Sequence, residues 1–409
     1  MAEANPFRLM FVTWDGPTTN YLESLFIPIL SAVQAEEPVR FHVLQYHWAS
    51  NQRTDQTRAL AKAKQIEYCG INVGSTVGER IVRLGQARRH LFKAINASGV
   101  DALMPRSIIP AALSLPLFRR LKPALVYDAD GLKADERVEF SAWPQRGVRY
   151  RTLQSIEHTA VRRSTLVTTR THATVDILRN RVPEASREKF YVIRNGVDSS
   201  TFVPRDDVDR RTARRELSLP ENVPVVVYVG SHGPQYEPGA LFRFFRAVLK
   251  LRPEARLLVM SGSPERFEED AIESGLQDKC TIFRAQPTDV ARLLCAGDLA
   301  VAFRTPSLSQ RAVAPIKIGE YLLCGLPVLA TLGIGDLDQT LAHTSGVRLL
   351  ADLGEQSLAR AADWFANEVL RERVQLRSTA RRTGEDHFSL DCAVADWQIV
   401  LQRLRKGEG

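Results

Sequence analysis

The chain has few cysteines, five in 409 residues: Cys69, Cys280, Cys295, Cys324 and Cys392. They lie far apart, are odd in number and form no CxxC, which argues against a disulfide framework or a zinc site. Small buried residues are their expected use. Long hydrophobic runs are missing too. The longest apolar stretch, around LFIPILSAV, falls far short of the roughly 20 residues that span a bilayer. The opening MAEANPFRLMFVTW has no basic segment ahead of an apolar core, so a cytoplasmic protein is expected rather than a secreted one. Low-complexity tracts and internal repeats are absent, and 44% hydrophobic with 25% charged residues describes a soluble globular chain.

At this length two domains of roughly 200 residues are expected. The net charge of +8 favours contact with something anionic, a nucleotide, a membrane surface or nucleic acid. A nucleic-acid binder would need aromatic and basic residues interleaved, which the sequence lacks, so no nucleic-acid partner is expected.

Short apolar runs alternate with helical stretches from the start: RLMFVTW (8–14), VRFHVLQYHW (39–48), DALMPRS (101–107), ALVYDADG (124–131), TLVTTRT (165–171) and KFYVIRNG (189–196). This rhythm predicts a doubly wound α/β domain over 1–204. The polar, Pro-punctuated stretch after Phe202 reads as a linker. A second series begins at VPVVVYVGS (223–231) and continues through ARLLVMSG, KCTIFRA, DLAVAFR, PVLAT and GVRLL, predicting a second Rossmann-like domain over 205–388. Two such domains leave a cleft between the carboxyl ends of their strands. A final helix over about 389–406 is expected to pack back onto the first domain.

The strongest local signals are VIRNGVDSSTFVP (192–204) and APIKIGEYLLCGLPVLAT (314–331). Asn195 and Gly196 can adopt left-handed conformations at a strand end, with Asp198 bonding the turn; an ordinary turn has the same signature. Phe202 and Pro204 would anchor the start of the linker. Pro315 suits a first helical turn and Gly325 the position past the last, so a short helix is predicted from about 315 to Cys324. The unpaired N–H groups at its start, around Pro315 and Ile316, and Lys317 in its first turn would receive a diphosphate. Glu320, one turn on, would accept from ribose hydroxyls, although Lys/Glu at this spacing is commonly a plain surface ion pair. Gly230, Ser231 and His232 follow the first strand of the second domain, where small residues let backbone amides approach a phosphate.

These two stretches resemble, in order, the NGVD-x3-F-x-P and donor-binding motifs of the family 4 glycosyltransferases, retaining enzymes of the GT-B fold. The layout is similar over nearly the whole chain, and closest to a subgroup written PIKxxEYLxxGxPV. The resemblance implies a nucleotide-sugar donor, UDP- or GDP-linked, and a glycan or lipid-linked acceptor, as in surface polysaccharide or glycolipid synthesis. It further implies that Arg284, Ala285 and Gln286 lie where the donor base is read and that Gly16 faces the substrates. Many family members carry an Arg just after the glycine matching Gly230 and a Lys a few residues on, where this chain has Ser231 and Gln235-Tyr236, so phosphate charge would fall chiefly to Lys317 and the helix dipole, with Arg304 or His232. Family members place a glutamate before Glu320 with seven residues between the two; that position in this chain is Ala312. Many have His before the glycine of YDADG; this chain has Asp130, which would bind or orient an acceptor hydroxyl, with Asp128 the next choice and a strand-end turn the bland alternative. The candidate catalytic side chains are therefore Asp130, Lys317 and Glu320.

The histidines are scattered, and the chain is expected to lack both a metal-ligand cluster and an Asp-x-Asp tract at a strand end. No essential metal and no cofactor is expected, the helix terminus and basic side chains replacing a cation. Basic residues gather in GERIVRLGQARRHLFK (78–93) and FRRLK (118–122), where a basic amphipathic face would rest on an anionic bilayer, peripheral on its inner side; a solvated helix face has the same composition. A non-catalytic subunit of the same fold and a sugar-nucleotide 2-epimerase are the alternatives.

Overall fold

The computed structural model describes residues 5–17, 19–117 and 123–407; the FRRLK stretch at 118–122 lies outside them. The chain divides into two compact units, Met1–Asn195 with Ala393–Gly409, and Gly196–Cys392.

The first unit holds a seven-stranded sheet built from β1 (Phe7–Asp15), β2 (Val39–His47), β3 (Glu67–Asn72), β4 (Ala102–Pro105), β5 (Ala124–Asp128), β6 (Leu166–Thr169) and β7 (Phe190–Val192). Its order is β3-β2-β1-β4-β5-β6-β7, every pairing parallel. Apolar runs such as MFV in β1 and ALM in β4 are buried because helices cover both faces of a parallel sheet. β3 has no apolar run and is absent from the strands expected above: EYCGIN is an edge strand, and all six of its residues stay at least partly accessible.

The second unit has six parallel strands, β8 (Val225–Val229), β9 (Arg256–Met260), β10 (Cys280–Phe283), β11 (Leu299–Ala302), β12 (Val328–Thr331) and β13 (Val347–Leu350), ordered β10-β9-β8-β11-β12-β13. Phe242, Phe244, Phe245, Phe267 and Phe365 fill one face of this sheet. Ile318, Tyr321 and Leu322 pack on the other.

Two features differ from the sequence reading. The stretch read as a linker contains a helix, Asp207–Glu216, whose Asp206 side chain accepts from the N–H groups of Val208 and Asp209. Its inner face carries Arg210 and Arg214 in place of apolar residues, so no hydrophobic period announces it. The division between units falls after Asn195, nine residues before the expected boundary at Pro204. Residues from Val197 on are tied into the second unit: Val197 donates to Phe388 O at 2.8 Å, and Arg381 donates to Ser199 O and Phe202 O.

The last helix, Leu390–Lys406, sets Trp397 edge-on to Phe41 at 5.3 Å, and Asp396 accepts from Arg194 Nε at 2.8 Å. Among the described residues, no helix is long and apolar enough to cross a membrane.

Candidate functional site

Open parallel sheets bind ligands beyond the carboxyl ends of their strands, where the strand order reverses. In the second unit that point lies between β8 and β11. The segments leaving these strands are joined: Thr305 N–H donates to Gln235 O at 3.2 Å, and its hydroxyl to Glu237 Oε1 at 2.8 Å. Glu237 has φ +47°, a left-handed conformation that costs a non-glycine residue energy, and this contact holds it there.

After β11 the chain enters the helix Ile316–Leu323, which Pro315 precedes in extended conformation and Gly325 closes at φ +73°, the conformation glycine takes most cheaply at a helix end. Because it follows a parallel strand, this helix begins at the carboxyl-end side of the sheet. Tyr321 fixes it in place. Its phenol oxygen receives the Val229 N–H at 2.8 Å and donates to Val229 O at 3.2 Å, tying the helix to the last residue of β8, immediately before Gly230. The sequence reading missed Tyr321; a buried phenol, which needs a hydrogen-bond partner, was its only signal. Lys317 Nζ and Glu320 Oε2 pair at 3.0 Å, with the lysine 41% and the carboxylate 12% exposed. The pair is thus formed, and its cationic end faces solvent at the first turn, where the helix dipole favours an anion.

The other candidates of this unit are placed less simply. Gly230 is small for a local reason: a Cβ there would lie 2.9 Å from the Tyr228 hydroxyl, which donates to Ser231 O. His232 points to Asp270, at 2.9 Å, and against the Phe267 ring, so its imidazole is engaged within the unit. Arg304 lies over the Tyr236 ring at 4.7 Å, with Nε on Gln310 at 2.6 Å. Arg284 is 59% exposed, 3.6 Å from Glu265, in the segment with Ala285 and Gln286 that follows β10 at the sheet edge, two strands from the reversal. Ala312 is buried at 2% exposure, so the position of the family's first glutamate is filled by packing.

In the first unit the strand order reverses between β1 and β4. β1 ends on Asp15 and is followed by Gly16, where a Cβ would lie 3.0 Å from Trp48. β4 leads into Arg106 and Ser107, the latter at φ +69°, its N–H donating to Asp128 O. Arg106 bonds Asp130 and stands 3.5 Å from Asp15, while Arg170, after β6, holds Asp128 at 2.7 Å and lies 3.6 Å from Asp130. Neither arginine was singled out from sequence. Single arginines after strands carry no local signature; only the sheet order brings them together.

The surroundings pull the two carboxyls in opposite directions. Burial works against ionisation of Asp130, but Arg106, Arg170 and Lys133 outweigh it and hold its carboxyl down at about 2. Burial pushes Asp128 up. Asp130 is therefore an anion at neutral pH, fit to accept a hydrogen bond and unfit to donate a proton. Contrary to expectation, Asp128-Ala129-Asp130 does spell an Asp-x-Asp tract at a strand end. Guanidiniums occupy both carboxylates, and among the described residues no group of three or more His, Cys, Asp or Glu could hold a metal ion.

Residues 209–383 match the family described as glycosyl transferases group 1. A D-inositol 3-phosphate glycosyltransferase of Jonesia denitrificans is 28% identical over 234 residues, 54% of this chain and 53% of its own, so the match spans about half of that relative. Among solved structures, a glycosyltransferase from Rickettsia africae superposes with a TM-score of 0.75 at 15% identity, covering 98% of this chain and 100% of the other. The Anabaena protein HepE, solved with UDP and glucose, superposes at 0.73 and 15% identity, over 97% and 99%. At such identities the likeness establishes the fold. Over residues 209–383 the chain matches the glycosyl transferases group 1, and its two Rossmann-like parallel-sheet domains are those of the GT-B fold.

Proposed function

We propose that this chain is a retaining glycosyltransferase of the family 4 kind, moving a sugar from a UDP- or GDP-sugar to a glycan or lipid-linked acceptor in surface polysaccharide or glycolipid synthesis. The observation that carries the reading is the Ile316–Leu323 helix, locked through Tyr321 to the end of β8, with Lys317 exposed in its first turn. A helix start with a lysine beside it is built to hold a diphosphate, and holding the leaving diphosphate stabilises the charge that develops as the sugar bond breaks. HepE's capture with UDP and glucose supports a nucleotide sugar. On donor binding Lys317 turns to phosphate and frees Glu320 to accept from ribose. Asp130, held ionised, accepts from and orients the acceptor hydroxyl. No metal or cofactor is needed in this scheme. Release of nucleotide from a panel of UDP- and GDP-sugars, with glycan and lipid-linked acceptors supplied, tests it; no release with any pair contradicts it. A non-catalytic subunit is the second reading, favoured by buried Ala312 at the place of the family's first glutamate.

The same reading places the chain at an anionic membrane, peripheral on the cytoplasmic side. On the helices Val77–Val82 and Leu84–Ser98, the apolar Val77, Ile81, Val82 and Phe92 are exposed, as are Arg88, Arg89 and Lys93. A face that mixes exposed apolar and cationic side chains is the chemistry of an interfacial helix. Co-sedimentation with phosphatidylglycerol vesicles, but not phosphatidylcholine vesicles, is expected. Ile81→Ser with Val82→Ser should lower it severalfold; equal pelleting with both lipids would contradict membrane docking.

A further inference from the structure

At the amino ends of β8 and β11, the end of the second sheet opposite Lys317, arginines gather around one buried carboxylate. Asp298 directly precedes β11. It accepts from the Val225 N–H at 2.9 Å, from Arg210 at 2.7 Å and from Arg214 at 3.0 Å, with Arg373 a further 3.8 Å away. Arg210 and Arg214 also donate to the carbonyls of Cys295, Ala296 and Gly297, and of Pro220, Glu221 and Val223, so they serve the packing of the Asp207–Glu216 helix.

The outer layer has no such explanation. Arg373 and Arg205 are 33% and 29% exposed. Apart from the longer approach of Arg373 to Asp298, the carboxylates they reach among the described residues are exposed aspartates, Asp207 at 3.3 Å from Arg373 and Asp209 at 3.6 Å from Arg205, while Asp206 is engaged as the helix cap. Arg205 Nε is buried with no hydrogen-bond partner among the described residues. Arg377, half-buried, has no carboxylate in ion-pair contact among them; it donates to Arg205 O at 3.4 Å. Burial, and then repulsion from Arg373 and Arg210, makes its charge costly. Arg210, Arg214 and Arg373 thus share one buried carboxylate, and Arg377 stands close enough to feel the repulsion of Arg373 and Arg210. Uncompensated buried charge is expensive, and a bound anion relieves it.

We propose that Arg205, Arg373 and Arg377 form an effector site for a phosphate-bearing anion, distinct from the donor site. Forked guanidiniums suit phosphate oxygens. The site has a route to the donor helix. Arg373 and Arg377 lie on the helix Arg373–Phe388, whose Gly384 sits so close to Leu323 that a Cβ would come within 2.7 Å of its nitrogen, and whose Arg381 donates to Leu323 O at 2.9 Å.

The test uses the full chain carrying Lys317→Ala, so that the donor helix does not contribute, and inorganic pyrophosphate as probe, against potassium chloride of equal ionic strength. A binder of the folded state raises the melting temperature. The expected result is a rise of several degrees at millimolar pyrophosphate, with the dissociation constant increased tenfold or more by Arg377→Gln or Arg373→Gln. Arg373→Lys, which keeps charge but not the fork, should fall between. A rise with pyrophosphate identifies a soluble anion; a rise only with phosphatidate vesicles identifies a lipid headgroup. No rise beyond chloride with either, or a rise unchanged in the glutamine variants, overturns the proposal. Should a glutamine variant fold poorly, phosphorus-31 line broadening of pyrophosphate by Arg373→Lys gives the same reading: broadening equal to that by the Lys317→Ala parent also overturns it.

Discussion

Tyr321 Oη meets both polar groups of Val229, and losing it leaves a buried N–H without a partner. Stranding such a group costs roughly 1–3 kcal/mol. Tyr321→Phe should therefore lower the melting temperature by about 2–4 °C per kcal/mol in a unit of this size. It should also weaken nucleotide binding, because the helix start is no longer fixed against the end of β8. Unchanged stability and affinity would show that the bridge does not position the helix. In the other unit, Asp130→Asn keeps the side chain's shape and removes the charge that Arg106 and Arg170 maintain. Turnover, followed as nucleotide release, should collapse while nucleotide affinity stays at the parent's value; a fall in affinity instead would move Asp130 out of the acceptor role. Lys317 and Glu320 were legible because Pro315 and Gly325 mark the ends of the helix that carries them, and Asp130 because it follows a strand. Arg106, Arg170 and Tyr321 were not, since their partners are about 24 to 92 residues away in sequence.

Elements with a clear apolar period were readable: β8, all of it buried, and the Ile316–Leu323 helix with its Pro and Gly ends. Those whose inner face is polar were not. The edge strand β3 and the Asp207–Glu216 helix, which buries arginines, carry no hydrophobic pattern. Asn195 and Gly196, which can adopt left-handed conformations, do not have positive φ here; Asp198 bonds the turn as expected, accepting from Ser200 N–H at 2.9 Å and from the Thr201 hydroxyl at 2.9 Å. A polar junction also joins the helices Val148–Arg163 and His172–Arg181, where Arg181 reaches Asp135 at 2.8 Å and Glu157 at 3.4 Å. Burial pushes the Glu157 carboxyl up to about 7, against the pull of Arg181. The unfolded chain titrates near ~4.3, so between these values the folded state holds a proton that the unfolded state has lost. Stability from this group therefore falls as pH rises through that window and is flat above it. Glu157→Gln is neutral throughout, and its melting temperature relative to the parent should climb from pH 5 to pH 8; a constant difference would mean Glu157 is already ionised in the folded state.

For the whole molecule, strand order explains more than local sequence. Each sheet reverses once, at β1/β4 and at β8/β11, and the residues that chemistry singles out stand at or beside those reversals: Asp15, Arg106 and Asp130 in one unit, Gly230, Arg304 and Lys317 in the other. Alternating strand and helix patterns made two doubly wound domains legible, but the pairing order, and with it the ion network around Asp130, is a long-range property that periodicity does not encode. The second unit is expected to bind a nucleotide through the start of the Ile316–Leu323 helix without a metal. Isothermal titration with UDP and GDP, each with and without magnesium, tests it on the parent and on Lys317→Ala. Binding of one nucleotide is expected, the same in both buffers and abolished in the variant. Binding that requires magnesium, or that Lys317→Ala leaves intact, would contradict it.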